Sequence, residues 1–490
     1  MKRTDKLSEN GPSRRATLGL GAGVLGLMGL EAGVAGAAEP AAPKALVDVV
    51  IVGAGFAGLT AARALRRAGR SVLVLEADDR VGGRTKAGRV AGETVDMGGQ
   101  WVGPTQTRLL ALAEEIGVPT YDQFTTGGNI IDIGGGQQTY KGEIPMLDPS
   151  IMAEFADVMG RLEGLAKQTP TPRAWESADA AKWDSQTVES WLQSNIRSPV
   201  VASFVRMMTR SVFSADASQI SFLYFLGYAS AAGGLGALTS TRGGAQERLF
   251  KDGVWQLAAK MAADLGSSVV LNAPVTAISQ NETGVTVTTA QGDHRGRIAV
   301  VTAPPALASR IVYTPAMPAK RDSLTQRMPM GCVIKVHIAY DKPFWRTNGL
   351  SGMVLSDRTE FGPWFDHSPQ AGSGGALVGF YNGGPAQRWA DRTPAERRAQ
   401  TLGDIARYFG DAALAPIDYQ EEVWNRSPYH RGGFVSVPGP GVLTAFGSAL
   451  AEPVGRIHWA GTETADAWVG YIDGAIRSGE RVAKEVQVRL

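Results

Sequence analysis

These 490 residues predict an α/β fold in which a parallel-stranded domain sits beside a discontinuous α+β domain. Three observations carry that prediction. The stretch Val47–Arg84 runs strand, glycine turn, helix, strand. A second strand, glycine turn and helix close the chain from Arg456 to Val486. Between them, residues 121–242 lose the glycine pattern and take up helical periodicity.

The opening unit assigns a task to each residue type. Val47–Val52 is a short apolar run, and Gly53-Ala54-Gly55-Phe56-Ala57-Gly58 follows at once. Leu59, Ala62 and Leu65 then recur at helical spacing up to Gly69, and Val72–Leu75 ends in Glu76. Gly53 permits the tight turn, Gly55 lets the backbone approach a pyrophosphate, and Gly58 lets the helix pack on the sheet. The helix N-terminus offers free N–H groups to phosphates, and Glu76 is placed to accept from a ribose. This is the fingerprint of a Rossmann-like dinucleotide site. The continuation Arg80-Val81-Gly82-Gly83-Arg84 adds a glycine pair and an arginine after the acid. An arginine there can neutralise a second face of the pyrophosphate, which points to FAD rather than NAD.

Composition sets the bounds. The chain is 44% hydrophobic and 20% charged with a net charge of +2, ordinary globular composition with no signal for nucleic acid. Its one cysteine, Cys332, excludes an intrachain disulfide and a cysteine metal site, and the five scattered histidines lack metal-ligand spacing. No metal is expected. The N-terminus reads as a targeting segment: Ser13-Arg14-Arg15-Ala16-Thr17-Leu18, a glycine-rich apolar run to Leu30, then Ala35-Gly36-Ala37-Ala38. That order predicts a twin-arginine export signal over 1–38, cleaved near Ala37 or Ala38, with 39–45 as linker. The apolar run is shorter than the roughly 20 residues a membrane span needs. The expectation is an exported bacterial protein, periplasmic or secreted, with no stable membrane insertion after processing. Besides the export machinery, a second copy of the chain is the macromolecular partner left open.

Along the chain, Gly98-Gly99-Gln100-Trp101 suggests backbone passing a flat ligand, and Thr107–Ile116 reads as a helix ended by Gly117. Met152, Phe155, Val158, Leu162 and Leu165 share a helix face, and Val205, Met208 and Val212 share another, predicting a mostly helical cap over 121–242. Short strands follow the helix 253–265, at 269–271, 275–278, 285–289 and 298–302. Gly331–Tyr340 is an apolar strand carrying Lys335. Thr393-Pro394-Ala395-Glu396 is a capping box that opens a helix running to Phe409. In the C-terminal unit, Gly461-Thr462-Glu463-Thr464 precedes Trp468–Ala475 and the last helix. The resulting division is 46–120, 243–325 and 424–490 for an FAD-binding domain, and 121–242 with 326–423 for a substrate-binding domain.

Taken together, GAGFAG, the E…RVGGRT extension, GGQWVGPTQTR (98–108), GGAQERLFKDG (243–253), PMGCVIKVHIAYDKPFW (329–345) and WAGTETADAWVGYIDGAIRSGERVAKEV (459–486) resemble the flavin-containing monoamine oxidase family. The resemblance spans nearly everything from Val47 to Val486. It implies that Ala57, Glu76 and Arg84 touch the adenosine and phosphates, alongside Gly53, Gly55 and Gly58. It places Gly99, Gln100 and Trp101 beside the flavin ring, Val275 at the adenine, and Trp424, Gly461, Glu463, Tyr471 and Ile472 around the rest of the cofactor. Lys335 matches the family lysine that holds a water near the flavin, and Tyr471 matches one ring of the family's aromatic cage. Ungapped alignment puts Phe434 at the other ring and Gly433 where mitochondrial members carry a flavin-linking cysteine, so the flavin is expected to be noncovalent. The implied reaction is oxidation of an amine to an imine, then an aldehyde or ketone, with oxygen reduced to hydrogen peroxide. The flavin carries that chemistry and the protein orients and desolvates the amine. Amino-acid oxidation, polyamine oxidation and dehydrogenation with another acceptor stay open on the same scaffold. The first would need a cationic clamp and the second an acidic pocket, with Arg206, Arg210 and Asp216 the charged residues to be placed.

Overall fold

Val47–Val52 becomes a buried strand because apolar residues face both sides of a parallel sheet. The computed structural model describes residues 46–143, 145, 147–370 and 374–490. The export segment 1–38 and the linker 39–45 lie outside the described residues. Val47–Val52 pairs in parallel with Val72–Leu75 on one side and with Gly292–Val301 on the other. Gly292–Val301 is long enough to serve two neighbours. Its first half forms an antiparallel hairpin with Val285–Thr289, and its last residues pair in parallel with Ile457–Trp459. Val275–Gln280, Val312–Thr314 and Val269–Val270 complete an eight-stranded sheet. All of its strands come from 46–120, 243–325 and 424–490.

Two helices bring the ends of the chain together. Phe56–Arg67 buries Phe56, Ala57, Leu59, Ala61, Ala62 and Leu65. Gly58 lies so close to the turn that a Cβ there would sit 2.0 Å from the Gly53 carbonyl oxygen. The final helix, Ile472–Gln487, crosses at Gly479, where a Cβ would fall 2.4 Å from the Ala57 carbonyl oxygen. Glycines at these two contacts set the N-terminal and C-terminal glycine motifs side by side.

A second sheet of seven strands centres on Val333–Tyr340, held antiparallel between Asp418–Val423 and Gly375–Asn382. Every residue of Val333–Tyr340 is buried, so Lys335 stands in a fully covered strand. Trp364–Asp366, Leu350–Ser356, Gly128–Ile133 and Gly136–Tyr140 continue the sheet. The last two add a strand pair to a region, 121–242, that is otherwise mostly helical as expected. That region opens with a hairpin whose turn, Gly134-Gly135, has both φ angles positive (+64° and +86°). A glycine pair between apolar runs is the sequence signal for such a turn. The helices follow it: Pro149–Lys167 capped by Asp148, Pro199–Phe213 capped by Ser198, and Phe222–Ala231 capped by Ser221. Thr393 and Glu396 form the expected capping box on Pro394–Phe409. Among the described residues, no helix is long and apolar enough to cross a membrane, and no cluster of side chains suits a metal ion.

Candidate active site

A cavity of about 400 Å³ is lined from both sheets and from the helix Pro199–Phe213. One end is the glycine turn: Gly53, with φ +105°, Gly55, Phe56 and Ala57 line it, faced by Gly82, Gly83 and Arg84. Gly83 lies against Gly55, where a Cβ on Gly83 would come 3.3 Å from the Gly55 Cα. A side chain at either position would fill the cradle. The helix Phe56–Arg67 has no side-chain cap and no acid in its first turn, which leaves its N-terminus to an anion. Glu76 lines the same end with Ala77, Ala273 and Val275. Its carboxylate accepts N–H bonds from Ala54 at 2.6 Å and Asp78 at 2.9 Å, while burial pushes its carboxyl above the usual range. Glu76 therefore buttresses the turn and faces the cavity together.

The C-terminal motif supplies the opposite wall. Gly461, Thr462, Tyr471, Ile472 and Ala475 line the cavity at the N-terminus of the last helix, which also lacks a side-chain cap. Two sequence-derived site residues do not reach the cavity. Gly58 is taken up by helix–turn packing, as its fingerprint role requires. Glu463 is corrected: its carboxylate lies behind Arg84 and accepts both of its Nη donors, at 2.8 and 3.0 Å. Burial opposes both charges, but each partner outweighs it, so the Glu463 carboxyl stays below the usual range and the Arg84 guanidinium above it. Arg84 is thus not a free cation awaiting phosphate. It also donates to the Phe434 carbonyl oxygen at 2.8 Å.

Lys335 reaches the cavity from the middle of its buried strand. Its Nζ donates to the carbonyl oxygens of Asp96 (2.5 Å) and Gly98 (2.7 Å) and to Gln100 Oε1. Burial pulls the ammonium down to about 7, with the Asp96 carboxylate pulling the other way. Three acceptors around Nζ match the three N–H groups of the charged form. Every donor is engaged, so holding a water as the family lysine does would require one of these bonds to open. Because an ammonium can only donate, Gln100 must turn its oxygen to Lys335. That leaves Gln100 Nε2 buried, without a protein partner, in a residue that lines the cavity.

Aromatic rings build the rest. Trp101 packs edge-on to Phe365 at 5.4 Å and is aimed by a bond from its Nε1 to Gln123 Oε1. Phe380 meets Phe434 edge-on at 5.8 Å. Trp424 lines the cavity and donates to the Met97 carbonyl oxygen. Tyr471 is steadied by Trp468, edge-on at 4.9 Å. Gly99, Gln100, Trp101, Phe434 and Tyr471 thus meet on one cavity.

The charged lining groups are Glu76, Arg84 and Lys335, and His430 is held neutral because burial pulls it down to about 3. Arg206, Arg210 and Asp216 are elsewhere: Arg206 pairs with Glu189 and Arg210 with Asp216, and none of them lines the cavity. Sequence reasoning missed Tyr228, Phe365, Phe380 and Asn382. Nothing in one sequence marks them, because they are ordinary apolar or polar residues that strand register, and for Tyr228 the packing of the helix Phe222–Ala231, bring to the cavity.

A glycine turn and two uncapped helix N-termini on one cavity, with a buried lysine and aromatic walls, define a dinucleotide-dependent oxidoreductase. The profile of the flavin containing amine oxidoreductases matches residues 56–487, and the chain belongs to that family. A Mycobacterium tuberculosis protein named as a candidate flavin-containing monoamine oxidase is 41% identical over 91% of this chain and 97% of its own length. An L-amino acid dehydrogenase of Synechocystis is 39% identical over 90% of this chain and 94% of its own. The structure of wild-type putrescine oxidase bound to putrescine superposes with a TM-score of 0.88 at 32% identity, covering 91% of this chain and all of that one. The protein is a flavin-dependent amine oxidase, and FAD is its cofactor. The glycine cradle, the uncapped helix ends and the spare amide of Gln100 fit that group.

Proposed function

We propose that this chain oxidises an apolar monoamine, bearing neither a carboxylate nor a second ammonium, with noncovalent FAD and oxygen as electron acceptor. The charge inventory of the cavity carries the substrate class. Glu76 lies at the end lined by the glycine turn, and Arg84 is paired with Glu463. Lys335 spends its three donors on Asp96, Gly98 and Gln100. Among the described residues lining the cavity, no acid is left to meet a second ammonium and no base to clamp a carboxylate. A buried charge without a partner costs several kcal/mol.

FAD, when bound, would accept two electrons and one proton from the α C–H of the amine, the second proton leaving from nitrogen as the imine forms. Gly53, Gly55, Ala57, Glu76 and Val275 would hold its adenosine and phosphates, with the Glu463-paired Arg84 beside them. Gly99, Gln100, Trp101, Trp424, Gly461, Tyr471 and Ile472 would hold the ring end. Phe434 and Tyr471 flank and orient the amine, while Met207, Met208, Val212 and Phe380 exclude water. Exclusion of water favours the neutral amine, the form with an electron pair to give. The N-terminus of Ile472–Gln487 favours negative charge at the ring end. Lys335 fixes the Asp96 and Gly98 carbonyls and the Gln100 side chain through its three hydrogen bonds. The imine product then takes up water to give a carbonyl and ammonia.

Noncovalent binding rests on Gly433, which offers no thiol, and on Cys332, which is buried off the cavity with its thiol pushed up to about 12. Acid precipitation of the purified holoenzyme should leave yellow FAD in the supernatant; flavin in the pellet would overturn this. Peroxide release across aryl amines, alkyl amines, diamines and amino acids tests the activity. Peroxide with monoamines supports the reading, and peroxide only with amino acids or diamines overturns it. Reduction without peroxide would move the acceptor away from oxygen. We also propose export by the twin-arginine route. Arg14→Lys with Arg15→Lys should strand the chain in the cytoplasm of a bacterial host, and unaltered export would contradict that.

A further inference from the structure

Two of the residues lining the cavity carry a buried polar atom with no protein partner, Gln100 and Asn382. Gln100 belongs with Lys335 at the ring end. Asn382 does not. It ends the strand Gly375–Asn382, opposite Val333, and is 2% exposed. Val333 Cγ1 lies 3.1 Å from where a Cβ on Gly433 would stand, next to Phe434. On its other side, Asn382 Oδ1 accepts from Ser214 Oγ at 3.1 Å, and Ser214 caps the helix that carries Met207, Met208, Ser211 and Val212 into the cavity. Asn382 therefore stands between the Gly433-Phe434 loop and that helix, both of which line the cavity. Its oxygen is anchored and its Nδ2 keeps two unused N–H groups.

An amide nitrogen buried without a partner costs about 1–3 kcal/mol. Around it the wall is apolar, with Met207, Met208, Val212, Phe380 and Phe434. We infer that Asn382 is a specificity-determining residue that donates to a neutral oxygen, an ether or hydroxyl, on the tail of the substrate amine. This deepens the apolar-monoamine reading and rests on it: the tail remains uncharged but carries one hydrogen-bond acceptor. A site built to donate a hydrogen bond discriminates against the hydrocarbon analogue because its own buried donor is then left unmet.

The test uses pentylamine and its oxygen-for-methylene analogues 3-methoxypropylamine and 2-ethoxyethylamine, which have nearly the same length and differ in where the oxygen sits. Steady-state kcat/KM is measured for holoenzyme, Asn382→Leu and Asn382→Asp. The quantity read is the ether-to-alkyl ratio in the native enzyme divided by that in each variant, which cancels the intrinsic reactivity of each amine. The expected result is a value of about ten for at least one ether in both variants, since neither keeps an N–H and the ether-to-alkyl ratio falls in each. Asn382→Asp retains an acceptor for Ser214 and so keeps the test open if leucine prevents folding. Ratios unchanged for both ethers overturn the inference. FAD released from the variants on gel filtration, with the native enzyme retaining it, also overturns it by assigning the amide to the cofactor. Failure of native enzyme to oxidise any of the three amines would instead sink the monoamine reading.

Discussion

Arg84 and Glu463, 379 residues apart, form a two-pronged ion pair whose acid is buried and whose guanidinium reaches the cavity, and the same guanidinium holds the Phe434 carbonyl oxygen. One pair thus ties the phosphate end of the cavity, the C-terminal glycine motif and the aromatic wall. Removing one partner of a buried pair leaves an uncompensated charge, which costs about 3–5 kcal/mol. Glu463→Gln should therefore lower the thermal midpoint markedly and loosen FAD. The double variant Arg84→Met with Glu463→Leu should recover part of the stability and none of the FAD affinity. Differential scanning calorimetry and FAD titration of the apoprotein separate these effects. Equal FAD affinity in Glu463→Gln and native protein would refute the tie.

Lys335 is predicted to matter for shape as well as charge. Lys335→Met removes three hydrogen bonds and leaves Gln100 Oε1 and two carbonyl oxygens facing an apolar chain. The expected loss of stability is at least ~2 kcal/mol. Denaturant unfolding would show it, together with a changed visible spectrum of bound FAD as the Gly98–Trp101 segment relaxes. A variant as stable as the native protein, with an identical spectrum, would mean that these bonds carry little.

Acid should destabilise the fold through histidines kept neutral by burial. His367 is pulled from 6.5 to about 4, chiefly by burial and then by Lys335; His337, packed against it at 4.9 Å, is shifted the same way. Between those values the unfolded chain binds the proton and the folded chain does not, so stability rises with pH across this window and falls as pH drops through it. Unfolding free energy should decline from pH 7 to pH 4.5, and His367→Gln should flatten the slope. An equal slope in the variant would remove His367 from the account.

The cofactor half was legible in the sequence because its chemistry is local. Gly53, Gly55 and Gly58 fall within six residues, and the strand and helix around them follow from periodicity. Lys335 was legible for a different reason, since a cation in an apolar strand demands partners. The identity of those partners was not, because the carbonyls of Asp96 and Gly98 have no side-chain signature. The hairpin at Gly128–Tyr140 was lost under the helical pattern that follows it, although Gly134-Gly135 marks its turn. Glu463 was placed at the flavin by resemblance, whereas geometry puts it behind Arg84. Arg206, Arg210 and Asp216 needed coordinates, because a sequence does not say whether a charge is already spent on a neighbour.

The central claim is that the substrate end of the cavity has no spare charge. Pentylamine, 1,5-diaminopentane and norleucine test it most directly, since the second adds an ammonium to the first and the third adds a carboxylate. The predicted result is a kcat/KM for pentylamine at least about 100-fold above either of the others, the penalty of burying an unpaired charge. A diamine or an amino acid oxidised as efficiently as pentylamine would contradict the account.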